Sequence, residues 1–284
     1  MRLTSRRPSH VIGTRFRVND RGRAHHPTRA HACTPRDPIP RSAVIAVVTV
    51  ADTSLGSLRH RTCNYPTGEN EENENTDTRV AMKLYYAPGA CSLAPHIALR
   101  EAGMRFDLVR VDFMRGKSLP DGSPYTRINP KGYVPALEID GGRVFTETAV
   151  VVQYIADLRP EVGLAPRNGT FERLRLQEWL VFIATELHKA LAPFFSPEAS
   201  DEYKATIKDK LDLRFGFLNA HLEGSRFLLG DDFSVAEGYA LYAIRTWEKM
   251  VRVDLAQWPA LGAYRRRIED RPAVRAALDA EGMK

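Results

Sequence analysis

The sequence predicts two folded parts in series: a small α/β domain over 82–160 and an all-α domain over 170–284, joined by a linker over 161–169. Three observations predict this. Between 83 and 158, short apolar runs with strand character alternate with segments of helical spacing. After Thr170 every long segment carries apolar residues at helical spacing. Residues 1–81 carry neither period.

The first strand is Lys83–Tyr86. A Pro88-Gly89 turn leads into a helix from about Cys91 to Ala102, with Leu93, Ile97 and Leu99 apolar and Gly103 placed to end it. Phe106–Val111 is the second strand. The polar stretch Arg115 to Asn129, with Pro120, Gly122 and Pro124, predicts an irregular segment. Pro135–Ile139 and Arg143–Phe145 predict two strands joined by Asp140-Gly141-Gly142, a hairpin signal. Thr148–Leu158 predicts a helix with Val151, Tyr154, Ile155 and Leu158 on one face, ending before Pro160. The order βαβ, irregular, ββα is a thioredoxin-like pattern.

In the second domain Thr170 can cap a helix that carries Leu174, Trp179, Leu180, Ile183 and Leu187 inward. A second helix spans about Glu202–Leu222. Ser234-Val235-Ala236-Glu237 reads as a capping box opening a third, Val235–Met250. Shorter helices follow Trp258 and Pro272.

Residues 1–81 hold thirteen Arg, no Lys and eight acidic residues, so five of the six net positive charges lie there and the folded body is nearly neutral. The basic pI therefore gives no reason to expect a nucleic-acid partner. Residues 1–42 are rich in Arg, Pro, His, Ser and Thr, Ala43 to Ala51 is a short apolar run, and Glu69 to Asp77 is an acidic, Asn-rich tract. Such a composition buries too little surface to offset chain entropy, and a disordered or mis-annotated extension is expected. A signal peptide fits poorly, because the basic region is too long. An organelle-targeting segment fits the Arg and Ser content but not the Pro. Natural translation from Met82 is the favoured reading, since a strand follows at once. The three cysteines, Cys33, Cys63 and Cys91, form no C-x-x-C and no zinc spacing, so no metal is expected and a reducing cytosol fits. No apolar run approaches the roughly 18–20 residues of a membrane span.

Cys91 is the residue with the most chemistry. A thiol after a strand and at a helix N-terminus meets unpaired backbone N–H groups and the positive end of the dipole. There it can lose its proton below the usual pKa of about 8.5 and serve as a nucleophile or exchange group. A buried small hydrophobe at a turn is the competing reading.

From Met82 to Lys284 the chain resembles the cytosolic glutathione S-transferases, and it is most similar to the bacterial beta class, which carries a cysteine after the first strand. The resemblance rests on Met82 to Leu93, on Ile128-Asn129-Pro130-Lys131-Gly132-Tyr133-Val134-Pro135-Ala136-Leu137 and on Thr146-Glu147-Thr148-Ala149-Val150. It extends through Glu178 to Lys189 and Phe233-Ser234-Val235-Ala236-Glu237. It implies glutathione as co-substrate, a cis peptide at Val134-Pro135 whose backbone pairs with the tripeptide, and Glu147 with Thr148 receiving the γ-glutamyl end. Lys117, or Arg115 in a loop one residue longer than usual, would meet the glycine carboxylate. His188 in the run Thr185-Glu186-Leu187-His188-Lys189 would hydrogen-bond the glutathione sulfur or Cys91, with Thr185 and Lys189 as further contacts. Val181 stands where the class often has Asn, so one polar contact is missing. Tyr85 and Tyr86 lie where other classes keep a catalytic tyrosine and read here as packing residues.

The resemblance implies a homodimeric cytoplasmic enzyme. It would conjugate the glutathione thiolate to a small hydrophobic electrophile, with monothiol exchange through Cys91 as a second activity. A glutathione-dependent isomerase or reductive dehalogenase, and a non-catalytic binding or regulatory protein, are the competing readings on the same scaffold.

Overall fold

A computed structural model describes residues 82–283. The extension over 1–81, with Cys33 and Cys63, lies outside the described residues. The first domain is a four-stranded sheet in the order β2-β1-β3-β4. Central β1 (Met82–Tyr86) pairs in parallel with β2 (Phe106–Arg110) and antiparallel with β3 (Ala136–Ile139), so that Leu84 stands between Leu108 and Leu137. Leu84 and Leu137 are fully buried, and burial of such a side chain contributes about 1.5–3 kcal/mol. A parallel pair needs a crossover, and α1 (Leu93–Glu101) supplies it. β4 (Arg143–Thr146) returns beside β3 through Asp140-Gly141-Gly142, whose two glycines sit at φ 74° and 72°, conformations that L side chains rarely adopt. Helix α2 (Thr148–Leu158) closes the domain.

The second domain is helical: α3 (Phe171–Phe182), α4 (Asp201–Glu223), α5 (Val235–Val251), α6 (Pro259–Glu269) and α7 (Pro272–Ala280). Thr170 Oγ1 accepts from the Arg173 N–H and Ser200 Oγ from the Tyr203 N–H, capping α3 and α4. The Ser234–Glu237 capping box is present. The buried Glu237 carboxyl also takes the Leu228 N–H, and burial pushes its pKa up. One apolar core runs through both domains. Its seam is α1 against α5, where a Cβ on Gly238 would stand 3.4 Å from the Ala94 carbonyl oxygen, so glycine lets the helices approach closely.

Three expectations are corrected. Helix α1 begins at Leu93 with Ser92 as N-cap, so Cys91 precedes the helix instead of opening it. Leu174 does not face inward: it is 59 % exposed, while its neighbour Arg173 is buried and donates two hydrogen bonds of 2.8 Å to Asp157 at the end of α2. An ion pair between the domains takes the place that simple apolar periodicity assigns to a leucine. The helix expected to run through Leu187 also changes character. It is α-helical to Phe182, widens to a π-helical turn over Ile183–His188, and tightens to a 3₁₀ segment over Lys189–Phe195.

Candidate active site

The site forms where the loop after β1, the loop before β3 and the N-terminus of α2 meet. The loop before β3 is held by its own side chains. Buried Asn129 donates to the Tyr133 carbonyl at 2.6 Å and accepts from the Lys131 N–H, while the Tyr125 hydroxyl reaches the same Tyr133 carbonyl at 2.9 Å. The Val134-Pro135 bond that follows is cis, as expected. Cys91 Sγ lies 3.1 Å from the Val134 carbonyl oxygen, to which the thiol donates.

Glu147 is the N-cap of α2 at φ 73° and ψ 115°, a strained backbone for a residue with a side chain, of the kind that gathers at ligand sites. Its carboxylate is exposed and paired with the Lys131 ammonium. Thr148 is buried at the first turn of α2, with its hydroxyl near both Cys91 and Tyr239.

The Cys91 thiol is not acidic. Burial pushes its pKa up to about 11, and the Thr148 hydroxyl and nearby backbone N–H groups only partly offset this. With the helix starting two residues later, the favourable dipole is outweighed by loss of solvent. The ring of His188 closes the π-helical turn, with Nδ1 2.8 Å from the Tyr239 hydroxyl and the Tyr242 ring edge-on at 4.9 Å. Burial, reinforced by the Lys189 charge, lowers the His188 pKa to about 4, so the ring is neutral at pH 7.

The remaining predicted site residues are spread more widely. Lys117 folds its ammonium 5.3 Å above the Tyr133 ring, beside Gly132, whereas Arg115 is exposed and pairs with Asp112. Thr185 is exposed and its hydroxyl donates to the Val181 carbonyl. Lys189 and Val181 are exposed. Tyr85 and Tyr86 are buried, and Tyr85 donates to Glu138 across the sheet.

Sequence reasoning missed three residues. Tyr239 and Tyr242 come from α5, and nothing in their local pattern separates them from core aromatics. Glu281, after α7, accepts from the partly buried Gly89 N–H at 2.9 Å and from buried His96 at 2.8 Å. Arg100 Nε donates to His96 Nε2, so the imidazole proton sits on Nδ1 and points at Glu281. The turn carrying Cys91 is thus tied to the far end of the chain.

Among the described residues no group of three or more His, Cys, Asp or Glu could hold a metal ion, and no helix is long and apolar enough to cross a membrane.

A thioredoxin-like domain with a cis-proline edge, followed by a helical domain that lends side chains to the same site, defines a class of thiol-handling proteins. Comparison with known proteins narrows it. Residues 89–158 match the glutathione S-transferase N-terminal domain and residues 182–272 the C-terminal domain. The chain is 42 % identical over 203 residues to glutathione S-transferase GstA of Escherichia coli O157:H7, covering 72 % of this chain and all of that one. It is similar to the structure of a ternary complex of BphK, a bacterial glutathione transferase, at 50 % identity and TM-score 0.69, covering 71 % of this chain and all of that one. It is also similar to a sphingomonad glutathione S-transferase complexed with glutathione, at 44 % identity and TM-score 0.68, with the same coverage. The chain belongs to the glutathione S-transferase family and is a glutathione transferase enzyme.

Proposed function

We propose that the enzyme conjugates glutathione to small hydrophobic electrophiles at the site built on Cys91, Val134-Pro135, Glu147 and Thr148. The observation that carries this is the contact of Cys91 with the cis-proline loop: its sulfur lies 3.1 Å from the Val134 carbonyl oxygen, with the Thr148 hydroxyl nearby. In this reading the Val134 backbone pairs with the cysteinyl part of glutathione as an added strand. Glu147 takes the γ-glutamyl ammonium, a reading supported by its exposed carboxylate, which pairs with the Lys131 ammonium. Thr148 and the α2 N-terminus suit the adjacent carboxylate. Lys117, in preference to Arg115, suits the glycine carboxylate because it lies against the Val134 loop. Thr185 and Lys189 flank the outer cleft, where His188 meets the sulfur.

The chemistry follows from orientation and thiolate stabilisation. The glutathione thiol gives its proton to solvent. The thiolate attacks an electrophilic carbon, the carbon–sulfur bond forms, and the leaving group, a halide for an aryl halide, departs with the bonding pair. Exchange through Cys91 is the slower second activity. A pKa pushed up to about 11 keeps Cys91 almost wholly protonated at pH 7.

A homodimer in the cytosol completes the proposal. The exposed apolar side chains Phe171, Leu174 and Val181 on α3 and Leu213 and Phe217 on α4 support it, as does the cavity of about 980 Å³ beside them, lined by Trp179, Phe182, Phe217 and His221. Faces of this kind are seldom left to solvent.

The test is the initial rate of glutathione conjugation to an aryl halide by the wild type and Cys91→Ala. Retained conjugation, with loss of the mixed disulfide formed on incubation with oxidised glutathione, supports the proposal. A wild type that binds glutathione but conjugates nothing refutes it. Turnover of substrate without glutathione consumption identifies an isomerase, and formation of glutathione disulfide identifies a reductive dehalogenase.

A further inference from the structure

Tyr239 sits on α5, is 3 % exposed, and joins three elements of the site. Its hydroxyl is 2.8 Å from His188 Nδ1, and the two rings meet edge-on with centroids 5.7 Å apart. The same hydroxyl lies near Thr148, which is also near Cys91. Tyr242, one turn further along α5, also packs its ring edge-on to His188, with centroids 4.9 Å apart. The imidazole is therefore fixed in orientation by packing and has one defined polar neighbour at Nδ1.

Which group donates in that contact decides what His188 can do. Burial raises the phenol pKa well above its usual value, so the Tyr239 hydroxyl keeps its proton, and burial keeps His188 neutral. Between two neutral groups a phenol O–H is the stronger donor and an imine nitrogen the stronger acceptor. The hydrogen bond then runs from Tyr239 to Nδ1, and the ring proton resides on Nε2.

We propose that Tyr239 is a positioning residue that holds His188 as its Nε2–H tautomer, so that the ring offers a hydrogen-bond donor to a sulfur anion. The opposite tautomer would leave a lone pair on Nε2, an acceptor that repels a thiolate. The inference rests on the proposed conjugation only for the identity of that anion; the tautomer itself is a property of the protein alone.

The experiment is long-range ¹H–¹⁵N correlation NMR of the full chain labelled with ¹⁵N-histidine at pH 7, with His188 assigned by its loss in His188→Gln. The expected wild-type spectrum shows His188 Nδ1 without a proton and Nε2 with one. In Tyr239→Phe the ring should shift toward a mixture of tautomers. kcat for aryl halide conjugation should fall about tenfold with KM for glutathione little changed, the split expected of an outer hydrogen bond that orients an active-site histidine. In Tyr242→Phe, which alters packing on the same ring, the tautomer should stay as in the wild type. A proton on Nδ1 in the wild type overturns the inference even if Tyr239→Phe does not fold. An unchanged tautomer in Tyr239→Phe overturns it too, whatever happens to kcat. If Tyr239 sets the tautomer but the chain conjugates no glutathione, the tautomer assignment stands and the proposed function falls.

Discussion

Cys91 donates its thiol hydrogen to the carbonyl of Val134, 3.1 Å away, so the cysteine is tied to the residue that precedes the cis-proline. That bond uses the protonated sulfur, and burial favours the same form. Alkylation of Cys91 by iodoacetamide should therefore be slow at pH 7 and rise through pH 9–11, with a midpoint near 11. A midpoint at or below 8 would show that the helix N-terminus outweighs burial. The same shift has a stability sign. A thiol whose folded pKa is raised stabilises the fold below its unfolded pKa of about 8.5. That contribution is lost as pH rises from there through about 11. Cys91→Ala should flatten the alkaline limb of a stability–pH curve.

His188 gives the opposite limb. With a folded pKa of about 4 against about 6.5 when unfolded, the unfolded chain binds more protons between those values. Stability should fall as pH drops from about 6.5 to about 4, and His188→Gln should remove part of that slope. Denaturant titrations at pH 4.5 and 7 compare the two proteins. An equal pH slope in both would show that the ring titrates alike in the folded and unfolded chain.

Glu281 satisfies two groups at once, the Gly89 N–H and His96 Nδ1–H. Glu281→Ala leaves both without that acceptor, and an unsatisfied buried donor costs about 1–3 kcal/mol. The His96 contact is the buried one, so we expect about 1–3 kcal/mol lost in chemical denaturation. Mixed-disulfide formation at Cys91 should change too, because Gly89 lies in the turn that sets Cys91. A loss under 0.5 kcal/mol would mean that solvent replaces the carboxylate.

Phe217→Asp should convert a dimer to monomers in sedimentation velocity while leaving the circular dichroism spectrum intact. Phe217 is exposed on α4 beside Phe182 and Trp179, so an added charge costs little in the monomer and much under a partner. A wild type that sediments as a monomer, or a variant that remains dimeric, would place any interface elsewhere.

Much of this was legible in the residues themselves. Helix α2 begins and ends where spacing and Pro160 put it, and Ser234 with Glu237 announced α5, because caps and periods are local. The cis bond at Val134-Pro135 followed from the resemblance and not from any local pattern. What escaped was non-local. Arg173 is buried because Asp157 on another helix meets it, and Leu174 is left outside. The π-helical turn that carries His188 leaves the 3.6-residue period without a mark in composition. Tyr239 and Glu281 lie 148 and 190 residues from Cys91, and only folding shows that they bear on it.

The most direct measurement is a calorimetric titration of the wild type and Glu147→Ala with reduced glutathione. If the tripeptide lies along Val134 with its ammonium on Glu147, the wild type should bind one glutathione per chain with saturation below millimolar concentration. Glu147→Ala should bind about tenfold more weakly, about 1.4 kcal/mol. Equal affinities in the two proteins, or no heat from the wild type at millimolar glutathione, would contradict the site as assigned.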